Sequence, residues 1–255
     1  MQLDIATEAV VTFLLVSTRI LATLLVAPPF NGGMVPVRIR VALAVTIGIL
    51  LASGVGPDTA PPPLDVPSLV LAIATQVLAG LVFGFFVLLL FSAFQVAGSI
   101  IDLSTGLSAG TLYDPVTQSN VAPIGRLYQL VSLALLLTVN GHLLIVRGVI
   151  RSYEAAPAGA VDTAAFGQML TRGAGQLLVA ALEIGFPVLA ALLLTEVALG
   201  IASRAAPRMN IMMVGFGVKS LVLFLVLGLG LPLLVNATVN LLDDALRMGS
   251  SLIES

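Results

Sequence analysis

Leu221-Val222-Leu223-Phe224-Leu225-Val226-Leu227 decides the fold, because it is apolar on every side. A membrane barrel strand alternates apolar and polar residues, and this run does not. A helix that is apolar all round lies buried in protein or lipid, so the run reads as helix. Leu133-Ala134-Leu135-Leu136-Leu137 repeats the pattern. Working outward, six apolar stretches emerge near 9–30, 39–56, 68–101, 127–150, 174–203 and 217–242, and the segments between them carry most of the Pro, Asp and Arg. A spanning helix needs roughly 20 residues. Each stretch meets that length, the second marginally, while the third and fifth are too long to be upright spans. The expected fold is an all-α polytopic membrane protein of long hydrophobic helices and helical hairpins.

Composition agrees. Of 255 residues, 58% are hydrophobic and 9% charged, against roughly 45–50% and about 25% in soluble domains. The net charge is −2 and the 11 basic residues are scattered, so no nucleic acid is expected as a partner. There is no cysteine, which removes disulfides, thiolate nucleophiles and thiolate metal sites. Asp4 and Glu8 near the start, a long apolar run and Pro28-Pro29 do not make a cleavable leader, so the first segment is expected in the mature protein. Counted by alternate loops, Arg38, Arg40, Arg126, Arg204, Arg208 and Lys219 lie on one side, against Arg147, Arg151, Arg172 and Arg247 on the other. The richer side is expected to face the cytoplasm.

Polar groups at membrane depth carry the functional signal. Ser92, Gln95, Ser99 and Asp102 step by three or four residues and share one helical face. That face leads into a stretch rich in turn formers, Gly106 to Asp114-Pro115, which ends near Pro123. Two readings stand: a pore-facing stripe feeding a loop that obstructs the pore, or a solvent-exposed connector beyond a helix end. A second stripe, Asn236, Asn240, Asp243, Arg247, Ser251 and Glu254, makes the C-terminal helix amphipathic. Glu183 and Glu196 are about 220° apart on one helix and cannot share a site unless Pro187 bends it. Glu196 is expected to reach water or Arg204. Arg19, alone in the first stretch, is expected to pair or snorkel rather than carry an ion. His142, the single histidine, sits in Asn140-Gly141-His142, a polar interruption at a helix bend or end. No catalytic residue, metal site or cofactor is expected. Gly80-Leu81-Val82-Phe83-Gly84 matches the small-xxx-small pattern of close helix packing.

Several segments together resemble one family. Gly106-Leu107-Ser108 with Asp114-Pro115 and Pro123; Asn140-Gly141-His142-Leu143; and Ala198-Leu199-Gly200 with Arg204-Ala205-Ala206-Pro207, Met209-Asn210, Gly215-Phe216 and Lys219 are similar, in this order, to the FliR proteins of the flagellar type III export apparatus. The injectisome counterparts are the SctT proteins. The resemblance implies a gate subunit that assembles with FliP and FliQ in the bacterial inner membrane at the flagellar basal body. Unfolded flagellar proteins would leave the cytoplasm through this gate. It also implies a FliP-like part over 1–170 and a FliQ-like hairpin with an amphipathic C-terminal helix over 171–255. Much of the assembled gate would stand above the lipid plane. Carried over by position, Gly106, Leu107, Ser108, Gly110, Thr111, Tyr113, Asp114, Pro115 and Pro123 belong to the loop that plugs the closed pore, 106–122. Arg204, Pro207, Arg208, Met209, Asn210, Gly215, Phe216 and Lys219 form the hairpin tip, where FlhB docks in the family. Arg208 stands where the family commonly has Gln, and Gly217 where Pro is usual. The rival class is a small-solute secondary transporter built around Glu183 and Glu196. The chain has no phosphate-cradling Gly-x-x-x-x-Gly-Lys-Ser/Thr segment, so energy would come from other subunits.

Overall fold

The computed structural model describes residues 2–31, 35–52, 65–107, 123–155, 163–206 and 211–251. Within them lie helices α1 (Gln2–Val26), α2 (Val37–Ala52), α3 (Val66–Thr105), α4 (Pro123–Thr138), α5 (Gly141–Ala155), α6 (Thr163–Ala205) and α7 (Ile211–Ser251), and no strand. Four helices are long and apolar enough to cross a membrane: Thr7–Val26, Val66–Thr105, Thr171–Ala205 and Met213–Asp244. One of the other two apolar stretches departs from the expectation of a continuous span. The second yields α2, 16 residues long among the described ones, and the last residues of that stretch, 53–56, lie outside them. The fourth is broken, because Asn140 takes φ 55° and its carbonyl accepts the N–H groups of Leu143 and Leu144. The two helices on either side of Asn140 are bent by 71°, the angle of a broken span or a re-entrant loop rather than of one straight crossing.

The helix ends follow from local chemistry. Pro28-Pro29 supply no N–H to continue α1. Asp65 starts α3, its carboxylate accepting the Ser68 N–H at 3.2 Å. Hydrogen bonding from the Ser68 side chain and then its backbone holds the exposed Asp65 carboxyl below its usual pKa. Gly106 ends α3 at φ +83° with open space around it, so glycine is there for the left-handed conformation.

The chain divides into two compact units, each drawing on several segments. The first comprises 1–90, 136–174 and 242–255. At its centre α1 packs against α2 and α5. The start of α3 crosses α1 at its glycines: a Cβ on Gly80 would press on the Arg19 carbonyl and lie 2.8 Å from the Ala22 side chain, and one on Gly84 would lie 2.9 Å from the Thr23 carbonyl. The Thr23 hydroxyl donates to the Gly80 carbonyl at 3.0 Å, a contact this close approach permits. Ala79, Phe83, Phe86 and Val87 fill the core beside it at helical spacing.

Arg19 binds this unit together. It is 1% exposed, donates from Nε to Gln76 Oε1 at 2.7 Å and from a terminal nitrogen to the Ser152 carbonyl at 2.7 Å, and lies 5.0 Å from the Tyr153 ring centroid. One side chain therefore joins α1, α3 and α5. Arg40 is also buried, with Nε donating to the Val35 carbonyl at 3.1 Å. A basic residue engaged inside the fold says little about orientation.

The second unit comprises 91–135 and 175–241. Phe94, Ala97 and Ile101 of α3, Ile124 and Tyr128 of α4, and Ile184, Val188 and Leu192 of α6 are its buried stripes. α4 meets α3 at a glycine pair. A Cβ on Gly98 would lie 2.6 Å from Gly125 Cα, 2.7 Å from the Ile124 carbonyl oxygen and 2.8 Å from the Gly125 nitrogen. α6 and α7 keep many large apolar side chains exposed, among them Leu182, Phe186, Leu194, Leu221 and Phe224. Such a surface suits lipid or sister helices rather than water.

Candidate functional site

The site grows from the end of α3. Its last turn carries Asp102, which is wholly buried, and Oδ2 accepts the N–H groups of Ile124 at 2.8 Å and Gly125 at 2.9 Å. Those are free donors of the first turn of α4, which opens on Pro123. A carboxylate there satisfies two N–H groups and sits at the positive end of the helix dipole. Asp102 thus does the work of an N-cap side chain, for which the alanine that precedes Pro123 in the sequence carries no polar atom. Its other oxygen, Oδ1, is buried and has no hydrogen-bond partner among the described residues.

The four-residue stripe is thereby divided. Gly125 sits over its lower half, where a Cβ would lie 3.0 Å from Ser99 Oγ and 3.3 Å from the Gln95 carbonyl oxygen. Ser99 remains exposed, its hydroxyl donating to the Gln95 carbonyl at 2.9 Å; Gln95 and Ser92 are half-buried. Asp102, the last residue of the stripe, points into the packing between α3 and α4, where two N–H groups of the first turn of α4 meet it. Of the plug segment, Gly106 is exposed at the α3 terminus, Leu107 follows it half-buried, and Pro123 opens α4. Ser108, Gly110, Thr111, Tyr113, Asp114 and Pro115 lie outside the described residues.

At the hairpin, Arg204 is exposed in the last turn of α6, Phe216 is exposed on α7, and Gly215 is buried with room for a Cβ 3.4 Å from Leu199. Pro207, Arg208, Met209 and Asn210 lie outside the described residues. Lys219 turns inward: its ammonium pairs with Glu196 of α6 and donates to the Ser104 carbonyl of α3 at 3.3 Å. Glu196 therefore pairs with Lys219, not Arg204. Glu183 is exposed on α6, four residues before Pro187, whose missing N–H leaves the Glu183 carbonyl without its helical donor. The two acids occupy separate surroundings. Glu183→Gln is expected to leave export unchanged to within about twofold, the scale of an exposed substitution; secretion by cells carrying it as their sole copy measures this.

The sequence left three ties unseen: Asp102 to the first turn of α4, Lys219 to Ser104 and Glu196, and the partners, though not the pairing, of Arg19. For Asp102 a signal existed, a helix-opening proline preceded by Ala122. For Arg19 the signal was weaker, since Gln76 and Ser152 are polar residues in apolar surroundings but far away in the chain. His142 is half-buried in the first turn of α5, and its Nδ1 has no hydrogen-bond partner among the described residues. Among the described residues no three His, Cys, Asp or Glu gather where a metal ion would sit.

Long apolar helices, glycine-mediated crossings and buried polar ties define a polytopic helical membrane protein, with large apolar side chains left exposed on α6 and α7. The family described as bacterial export proteins, family 1, matches residues 10–245, and the chain belongs to it. It is 32% identical over 242 residues to the flagellar biosynthetic protein FliR of Pectobacterium carotovorum subsp. carotovorum, covering 91% of this chain and 92% of that protein. The FliR protein of Escherichia coli (strain K12) is 29% identical over 242 residues, covering 92% and 90%. Yop proteins translocation protein T of Yersinia pestis is 26% identical over 230 residues, covering 88% and 87%. The chain is a component of a type III export apparatus, and these similarities lend the small-solute transporter reading no support.

Proposed function

We propose that the chain is the gate subunit that closes a protein-conducting pore in the bacterial inner membrane together with FliP and FliQ, with unfolded flagellar proteins as its cargo. It works by assembly and displacement rather than by catalysis. Residues 1–170 form the FliP-like part and 171–255 the FliQ-like hairpin, whose tip, 204–219, receives FlhB. Ser92, Gln95 and Ser99 flank the passage, Asp102 holds the start of α4, and 106–122 obstructs the pore.

The observation that carries this reading is the root of that segment. Gly106 turns the chain out of α3 in a conformation that favours glycine, and Asp102 holds the returning α4 against the same turn. Helices α3, α6 and α7 have 40, 43 and 41 residues, about twice the length that crosses a hydrocarbon core. Their apolar surfaces therefore need cover from sister subunits as well as lipid. Deleting 106–122 in cells is expected to leave the complex assembled while the membrane leaks ions and small solutes. An assembled complex with an intact permeability barrier removes the segment from the gating role.

A further inference from the structure

We infer that Lys219 is a positioning residue: its ammonium, anchored by Glu196, holds the carbonyl of Ser104 and so fixes the last turn of α3, on which Asp102 receives α4. Three helices meet in these contacts. Lys219 comes from α7, Glu196 from α6 and Ser104 from α3, all within the second compact unit. Ser104 belongs to the final turn of α3, where the helix runs out of its own N–H donors; the Asp102 carbonyl there accepts the Gly106 N–H at 3.1 Å, and the Ser104 carbonyl accepts from Lys219. A cation at a helix C-terminus satisfies such a carbonyl and complements the dipole. Two residues earlier stands Asp102, bound to the first turn of α4. The path from the α6–α7 hairpin to the start of α4 is thus two bonded steps, Lys219 to Ser104 and Asp102 to Ile124 and Gly125. Glu196 is 59% exposed and Lys219 17% exposed. The acid reaches the surface while the base holds the inner contact.

An ion pair that only staples α6 to α7 needs two opposite charges in either order. A positioning lysine needs a donor, because a carboxylate facing the Ser104 carbonyl repels it. Charge reversal therefore separates the two roles. The natural absence of cysteine permits a direct readout, since Ser99→Cys with Gly125→Cys introduces a single pair where α4 crosses α3. The rate at which that disulfide forms in the assembled membrane complex reports the approach of α4 to α3, whether or not export proceeds.

Lys219→Met is expected to slow the trap about tenfold, the scale of one hydrogen bond to a charged group. Glu196→Gln keeps the donor and is expected to stay within about threefold of the parent, a smaller loss because the Ser104 contact survives. The reversed pair Glu196→Lys with Lys219→Glu is expected to assemble and to trap as slowly as Lys219→Met. Equal effects of Lys219→Met and Glu196→Gln, or full recovery in the reversed pair, would overturn the inference. If Lys219→Met does not assemble, the comparison of Glu196→Gln with Lys219→Arg decides: both retain a donor and must trap near the parental rate, and slow trapping in either refutes the role. The inference rests on the gate reading only for its consequence in export, so normal trapping with altered leak separates failure of one from failure of the other.

Discussion

Replacing Arg19 with leucine should nearly abolish recovery of the folded protein. One guanidinium touches Gln76, Ser152 and the Tyr153 ring at once. Its removal takes donors from two buried acceptors, each costing about 1–3 kcal/mol, together with a desolvated cation–π contact of about 2 kcal/mol. The expected loss is about 4 kcal/mol or more, a large share of the stability of an ordinary domain. Arg19→Lys should fall short as well, because a single ammonium nitrogen on a shorter stem cannot take the places of both Nε and the terminal nitrogen that reach Gln76 and Ser152. Arg19→Leu combined with Gln76→Leu should recover part of the loss, since removing both partners leaves fewer buried groups unsatisfied. Thermal melting of the detergent-extracted complex measures all three; unchanged melting of Arg19→Leu would refute the account.

Gly98→Val is expected to act almost as strongly, by a different route. The first added carbon already meets Gly125 and Ile124 backbone atoms at 2.6 to 2.8 Å, and backbone cannot swing aside as a side chain does. α4 must move off α3, which adds strain of about 1–3 kcal/mol. The movement also stretches the two Asp102 hydrogen bonds at 2.8 and 2.9 Å, and bonds to a charged group contribute about 1.5–3 kcal/mol. Gly175→Ala makes the control. That position has open space around it within α6, so alanine should be neutral or stabilise the helix by up to about 1 kcal/mol. A folded, normally melting Gly98→Val protein would mean that α3 and α4 do not cross at this pair.

Some of the architecture could be read along the chain. Seven apolar residues at 221–227 forbid a half-buried strand, and Pro28-Pro29 and Gly106 mark two helix ends because proline lacks a donor and glycine tolerates positive φ. The break at Asn140 was legible as a polar interruption, though not its 71° bend. The stripe Ser92, Gln95, Ser99 and Asp102 was legible as a shared face, because periodicity alone sets that. What lay opposite was not: the Asp102 carboxylate meets the first turn of α4. Lys219 was legible as part of a hairpin end, but its inward contact with Ser104 was hidden.

The residues by themselves determined the helical state, the membrane as solvent and the family, since these depend on composition, local periodicity and short motifs in order. Tertiary structure alone decided how the buried polar groups are satisfied. Arg19 meets Gln76 across 57 residues and Ser152 across 133, Asp102 meets Ile124 across 22, and Lys219 meets Ser104 across 115. Helical spacing says which side of a rod a residue occupies; only packing of the rods determines which donor faces which acceptor, and in an apolar surrounding that match sets whether a buried charge stabilises the fold or breaks it.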